Sequence, residues 1–158
     1  MYNAKFYEKM KMYFRNEFER DFMKAYERVL RECGKQALLM SRRELVARTV
    51  HGGAPKFYIT YEMARRNVSA LLRGMPLDCR NKLKLQMYAD IARLTIDYQR
   101  RHKRCADDFN AALMAVLSEY EAPRFYINEK SAYNMLCAMQ RKHQRKCRRL
   151  INKNLCDE

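Results

Sequence analysis

The chain has 158 residues, of which 48% are hydrophobic and 32% are charged. This hydrophobic content excludes disorder for most of the chain, and the length suits one domain, or two small halves that share a core. Lysine and arginine number 33 against 18 acidic residues, which gives a net charge of +15. A charge of this size opposes compaction and favours polyanionic partners. No stretch approaches the roughly 18 uninterrupted apolar residues of a membrane span. The first helix is nearly balanced in charge and the last has a thin apolar face, so no membrane partner is expected.

The cysteines and the first residues of the sequence indicate the cellular compartment in which the protein is expected. None of the six cysteines forms a CxxC pair. The opening sequence MYNAKFYEKMKMYF is charged and amphipathic, and it lacks the apolar region of a signal peptide. Because free thiols persist in a reducing compartment, we expect a cytoplasmic protein.

The first third of the chain predicts one long and one short helix. Apolar residues recur at steps of three and four over residues 3–33, which is the pattern of a single helical stripe. The stripe consists of Phe6, Met10, Phe14, Phe18, Phe22, Ala25, Val29 and Cys33. Ser41 and Glu44 then have the spacing of a capping box, so a short helix is expected from there to Val50.

A short extended segment follows. The glycines in residues 51–53 and the proline at position 55 end the second helix. Residues 56–59 alternate polar and apolar side chains, which predicts a strand. Thr60 is the expected N-cap of a third helix that runs to about Arg73.

The second half of the chain repeats this order. A long helix is predicted over about residues 78–104. Its stripe consists of Leu83, Met87, Ile91, Leu94, Tyr98 and His102. Asp107 or Asp108 caps a shorter helix through Ser118.

One motif occurs twice. Residues 54–73 read APKFYITYEMARRNVSALLR, and residues 122–141 read APRFYINEKSAYNMLCAMQR. Together with the two helical stripes, this recurrence indicates an internal duplication of a helix–helix–strand–helix unit. The prediction is therefore a single all-α domain of mainly long helices with two short extended segments, built from repeats at about 3–74 and 78–145.

The motif has two structural interpretations. In the first, it is a buried connector whose aromatic residues fill the core. In the second, the two segments pair as a two-stranded antiparallel ribbon. The inner face of that ribbon is then Phe57, Ile59, Phe125 and Ile127. Its outer face is Lys56, Tyr58, Thr60, Arg124, Tyr126 and Asn128.

Two DNA-binding layouts bear on these interpretations. From about Lys56 to Arg104 the chain resembles ribbon-helix-helix repressors in element order, and the resemblance implies a ribbon that enters the major groove. The second copy departs from that layout because it continues into one long helix. A helix-turn-helix would use residues 41–50 and 61–73 and turn Arg65, Arg66 and Arg73 outwards. Its turn has about three or four residues, whereas residues 51–60 form a longer connection.

The last helix carries the densest positive charge. Asn128 is the expected N-cap, and the helix runs from Glu129 almost to the end, with a basic extension over residues 141–155. An apolar stripe of Ala132, Leu136, Met139, His143, Cys147 and Leu150 predicts that this helix stays docked on the core. The cations of residues 141–149 are expected to cover most of its circumference. A second basic cluster lies at residues 100–104, and Arg42, Arg43, Arg65 and Arg66 are candidates to join the two clusters into one track.

Catalytic signatures are lacking. The sequence has no P-loop, no GxGxxG, no HExxH and no nucleophile elbow. The three histidines are isolated, so we expect no metal site, no cofactor and no enzymatic activity.

These features favour a non-enzymatic protein that binds nucleic acid through a basic helical face, of the regulatory type or the accessory type found in phages and mobile elements. DNA is favoured over RNA. The alternative is a helical assembly or adaptor protein that forms homo-oligomers or docks on an acidic protein. The predicted nucleic-acid-binding residues are Lys56, Tyr58, Arg65, Arg66, Arg100, Arg101, Lys103, Arg104, Arg124, Tyr126, Arg141, Lys142, Arg145, Lys146, Arg148 and Arg149.

Overall fold

The computed structural model describes the backbone of residues 4–156 and the side chains of residues 14–153. Within these bounds the chain forms six α-helices and no extended strand. The helices are α1 Ala4–Cys33, α2 Arg42–His51, α3 Tyr61–Leu72, α4 Lys82–Arg101, α5 Phe109–Glu119 and α6 Glu129–Cys156. Two short 3-10 helices cover Gly34–Leu39 and Lys103–Cys105. The all-α prediction is confirmed, while the predicted stripe residues Phe6 and Met10 lie outside the described side chains.

Polar caps start the helices where the sequence indicates. The Ser41 hydroxyl accepts the backbone N–H of Glu44 at 3.2 Å, and Thr60 accepts that of Met63 at 3.3 Å. Asp108 caps α5 at 3.0 Å from the N–H of Ala111. Each cap satisfies a backbone donor that has no partner within its helix.

Helix α4 is shorter than predicted at both ends. Asn81 accepts two backbone N–H groups of the first turn, from Leu83 at 3.0 Å and Lys84 at 3.3 Å, and so fixes the start after residue 78. At the other end His102 leaves the helical conformation, with φ −115° and ψ 94°. The predicted cluster of residues 100–104 is therefore split between the end of α4 and the following 3-10 helix.

The helices pack in two groups of three that cross the order of the chain. Helices α1 and α2 pack together and receive α6, whereas α4 and α5 pack together and receive α3. Each motif therefore leads out of one helix pair and into a helix that packs on the other pair. One hydrophobic cluster spans both groups, with Phe22, Ile91, Leu113, Phe125 and Leu136 fully buried.

The backbones of the two motifs are joined by one bridge. Ala54 and Ala122 form an antiparallel bridge through two hydrogen bonds, each with an N–O distance of 2.9 Å. Gly53 approaches this bridge with φ +92°, a conformation that residues with a Cβ rarely adopt. Among the described residues this bridge is the single backbone pairing between the motifs, so they do not form the extended two-stranded ribbon of the second interpretation. Phe57 and Phe125 are buried as predicted, at 3% and 0% exposure.

No helix within residues 4–156 is both long enough and apolar enough to cross a bilayer.

Candidate nucleic-acid interface

The first part of α6 is anchored on α2. Ala132 and Leu136 of α6 are fully buried. Arg42, at the start of α2, donates from Nη1 to Sγ of Cys137 at 3.7 Å. At the other end of α2, His51 Nε2 lies 3.0 Å from Oε1 of Glu129. The two helices therefore run antiparallel, and the start of α2 lies beside residue 137.

Beyond that point α6 projects from the core. All side chains from residue 141 to 153 are exposed except Cys147, which is partly buried. We call residues 141–153 the α6 extension; at 1.5 Å per residue it is about 20 Å long. The prediction that the stripe keeps this part docked is wrong, since His143 and Leu150 are exposed. The physical reason is that α2, on which the first part of α6 packs, begins at Arg42 beside Cys137 and does not continue alongside the extension.

The cations of the α6 extension lie on one face. The extension contains seven basic residues and no acidic residue: Arg141, Lys142, Arg145, Lys146, Arg148, Arg149 and Lys153. At about 100° per residue they all fall within an arc of about 160°. The prediction that they cover most of the circumference is therefore wrong. The opposite face carries His143, Cys147, Leu150 and Ile151.

The charges of this face are not neutralised within the described protein. None of the seven cations forms an ion pair with a carboxylate among residues 14–153. The Nε of Arg141 donates to the carbonyl of Cys137 at 3.4 Å, which leaves the positive charge in place. Like charges one turn apart on a helix repel one another. A polyanion would remove that repulsion.

Arg42 and Arg43 enlarge the basic surface at the base of the extension. Arg42 contacts the side chain of Cys137, which lies one helical turn before Arg141. The guanidinium of Arg43 lies 5.7 Å from the ring centre of Tyr133. These two residues are the part of the proposed track that the structure brings to α6. Their sequence signal is their place just after Ser41, at the exposed start of a capped helix.

The remaining basic candidates are distributed over the other helix group. Arg65 and Arg66 are exposed on α3, and Arg100 and Arg101 are exposed at the end of α4. Lys103 and Arg104 follow in the 3-10 helix, also exposed. These six residues belong to elements that pack with one another, and no described contact joins them to the α6 extension.

The polar side chains of the first motif bind acidic residues of the protein itself. Nζ of Lys56 lies 2.9 Å from Oε1 of Glu17. The Tyr58 hydroxyl donates to the Asp21 carboxylate at 2.8 Å. Burial and this hydrogen bond raise the pKa of Tyr58 far above its usual value.

The second motif repeats the tyrosine contact. The Tyr126 hydroxyl donates to Asp90 at 2.6 Å, and burial with this hydrogen bond likewise raises the pKa of Tyr126. Nε of Arg124 donates to the Phe125 carbonyl at 3.3 Å. The prediction that Tyr58 and Tyr126 face outwards is wrong, because both rings are partly buried and both hydroxyls bind carboxylates of long helices.

An open cavity of about 460 Å³ lies beside the second motif, lined by Asn81, Lys82, Leu83, Tyr126, Ile127, Asn128 and Ser131. In the described part of the chain, no three His, Cys, Asp or Glu residues are placed to share a metal ion. Comparison of the chain with family models, curated proteins and solved structures finds no match.

Proposed function

We propose that this protein binds nucleic acid through the basic face of the α6 extension, together with Arg42 and Arg43. The binding is non-enzymatic and needs no cofactor, and it serves a cytoplasmic regulatory or accessory role. The observation that supports it best is the set of seven exposed cations on one helical face, none of which has an acidic partner in the described protein.

Phosphate neutralisation supplies the affinity. Each lysine or arginine that contacts a phosphate releases condensed counterions, so the binding constant falls with salt with a logarithmic slope of about −0.9 per contact. With seven cations the slope has an upper magnitude of about 6 from this face alone. Arg42 and Arg43 add at most about two contacts more.

Neutralising the face tests the proposal. The variant Arg145→Gln, Lys146→Gln, Arg148→Gln and Arg149→Gln retains helix-forming side chains and removes four charges. Fluorescence anisotropy with a duplex, at several salt concentrations from about 50 to about 200 mM, is expected to show a slope smaller by about 3 to 4.

The matched control loses the same charge elsewhere. Arg65→Gln, Arg66→Gln, Arg100→Gln and Arg101→Gln lie on α3 and α4, and they are expected to change the slope by less than about one. Equal loss in both variants would assign binding to the general charge of the protein and overturn the α6 site. Absence of binding by the unmodified protein would reject nucleic-acid binding altogether.

We infer also that the two halves, residues 3–74 and 78–145, are repeats of one unit. Support comes from the recurring motif, the same burial order at both copies and a tyrosine–aspartate contact in each half. Superposition of α1, α2 and the first motif on α4, α5 and the second motif in an experimental structure is expected to bring Asp21 onto Asp90. A misfit of these helices would contradict the inference.

A second candidate function is helical assembly or adaptor activity. Leu38 and Leu39 favour it, because they are 87% and 90% exposed on the 3-10 helix Gly34–Leu39. Exposed leucines of this kind are typical of contact surfaces. Light scattering after nuclease treatment separates the two functions. A stable oligomer without nucleic acid would favour assembly, whereas a monomer that binds added duplex supports nucleic-acid binding.

A further inference from the structure

The shape of the α6 extension bears on which nucleic acid it fits. The extension projects as a single helix for about 20 Å, and all its side chains except that of Cys147 are exposed. A helix with its side chains is about 10–12 Å across, which matches the major groove of B-form DNA, about 12 Å wide. The major groove of A-form RNA is too deep and narrow to admit side chains for reading. We infer, resting on the proposed function, that the partner is B-form duplex DNA and that the α6 extension lies in its major groove.

The distribution of cations within the arc suits a groove with two walls. Arg141 and Arg148 lie at one edge of the arc, and Lys146 and Lys153 lie about 120–160° away at the other edge. A helix seated in the groove directs its two edges at the phosphates of the two strands. The four edge residues therefore neutralise phosphates on both walls, where they fix the position of the helix without reading sequence.

The middle of the arc faces the floor of the groove. Arg145 and Arg149 lie there, one turn apart, with Asn152 between the middle and one edge. An arginine in the major groove pairs with O6 and N7 of guanine, and an asparagine pairs with N6 and N7 of adenine. The middle residues thus read base edges, while the edge residues hold the backbone.

The opposite face explains why only one side of the helix enters the groove. Leu150 and Ile151, which are 53% and 58% exposed, lie there together with Cys147 and His143. Apolar side chains gain nothing from phosphate contact. They are directed away from the DNA, so the helix has one defined rotational setting in the groove.

Two duplexes of the same sequence test the inference, one of DNA and one of RNA, each about two helical turns long and containing guanines on both strands. At equal salt the unmodified protein is expected to bind the DNA at least about tenfold more tightly. Methylation of guanine N7 is expected to weaken DNA binding by about fivefold or more, because N7 lies in the major groove.

Charge-preserving variants separate the two sets of cations. Arg145→Lys with Arg149→Lys keeps the charge but loses the fixed two-pronged donor of arginine, so the effect of N7 methylation is expected to become smaller while the salt slope stays. Arg141→Lys with Arg148→Lys is the matched control and is expected to retain both.

The inference and the proposed function fail in different ways. RNA binding as tight as DNA binding, or insensitivity of the unmodified protein to N7 methylation, would overturn the major-groove inference and leave nucleic-acid binding intact. Lack of binding to either duplex would reject both.

Discussion

The first motif, residues 54–59, and the second, residues 122–127, share a backbone course and differ in what surrounds them. In the first, Lys56 forms an ion pair with Glu17, and its Nζ lies 5.2 Å from the ring centre of Phe14. In the second, Arg124 bonds the carbonyl of the next residue, and an open cavity lies beside Tyr126. A shift of 69 residues places Glu17 on Gln86, so the second copy has no carboxylate at the matching position.

The comparison separates the contacts that both copies of the motif share from those found in one copy. Both copies bury their alanine and phenylalanine and bond their tyrosine to an aspartate on a long helix. The ion pair belongs to the first copy alone. We therefore expect the shared contacts to stabilise the fold strongly and the unshared ones weakly.

The phenylalanines give the largest expected effect. Phe125 contacts the rings of Phe18, Phe22 and Tyr58 with centre distances of 5.5, 5.1 and 6.3 Å. Among the described side chains Phe57 has one such contact, to Tyr126 at 6.1 Å. Phe125→Ala is expected to lower the free energy of unfolding by about 3–5 kcal/mol, and Phe57→Ala by about 1–2 kcal/mol less than that.

Urea unfolding followed by circular dichroism measures both variants. If Phe125→Ala does not fold, Phe125→Leu compared with Phe57→Leu gives the same ranking with smaller losses. A greater loss of unfolding free energy at position 57 than at position 125 would show that Phe125 is not the more important of the two core residues.

The tyrosine–aspartate contacts rank second. Tyr58→Phe and Tyr126→Phe each remove one hydroxyl donor from a carboxylate and are expected to cost about 1–2 kcal/mol, with similar values for the two copies. A cost confined to one copy would refute a shared role. The matched comparison is Tyr133→Phe on α6, which is expected to cost less because no hydroxyl contact with a carboxylate is described for Tyr133.

Alkaline pH provides a second measurement on the same variants. The folded-state pKa of Tyr58 and of Tyr126 lies above the usual value near 10, so the folded state retains protons that the unfolded state loses. Their stabilisation is complete below about pH 10 and declines as pH rises above it. In the double variant Tyr58→Phe with Tyr126→Phe, the free energy of unfolding is expected to fall less steeply with pH in that range, as measured by urea midpoints. An unchanged dependence on pH would contradict the assignment.

The ion pair gives the smallest expected effect. Lys56→Met removes a partly exposed pair and leaves Oε1 of Glu17 without its cation, while Oε2 of the same carboxylate is buried and already has no hydrogen-bond partner among the described residues. A loss of about 1 kcal/mol is expected. Arg124→Met is the matched change in the second copy and is expected to cost less. Equal costs would mean that the ion pair does not distinguish the copies.

Local sequence signals predicted the helices well. The capping residues Ser41, Thr60 and Asp108 each start a helix as expected, because a cap depends on bonds within a few residues. The crossing of α3 and α6 between the two pairs could not be predicted in this way. It depends on contacts between residues far apart in the chain, such as Arg42 and Cys137.

The errors at the candidate site have physical causes. Alternation along the motif predicts opposite faces for a strand, but a single bridge does not hold the backbone flat, and the tyrosines turn to Asp21 and Asp90. Asp21 and Asp90 are themselves 69 residues apart, the shift that relates the two long helices. The sequence therefore contained a signal for this pair of aspartates. The stripe along α6 predicts an apolar face correctly, yet periodicity does not tell where the neighbouring helix begins.

The crossing of the helices has a consequence for synthesis of the chain. Helices α1 and α2 leave the ribosome before α6, which covers them. The rings of Phe18 and Phe22 therefore stay uncovered until Phe125, more than 100 residues later in the chain, has been synthesised. Contacts so distant form slowly, and apolar surface exposed in the meantime invites aggregation. The nascent chain is thus expected to depend on chaperones until α6 is complete.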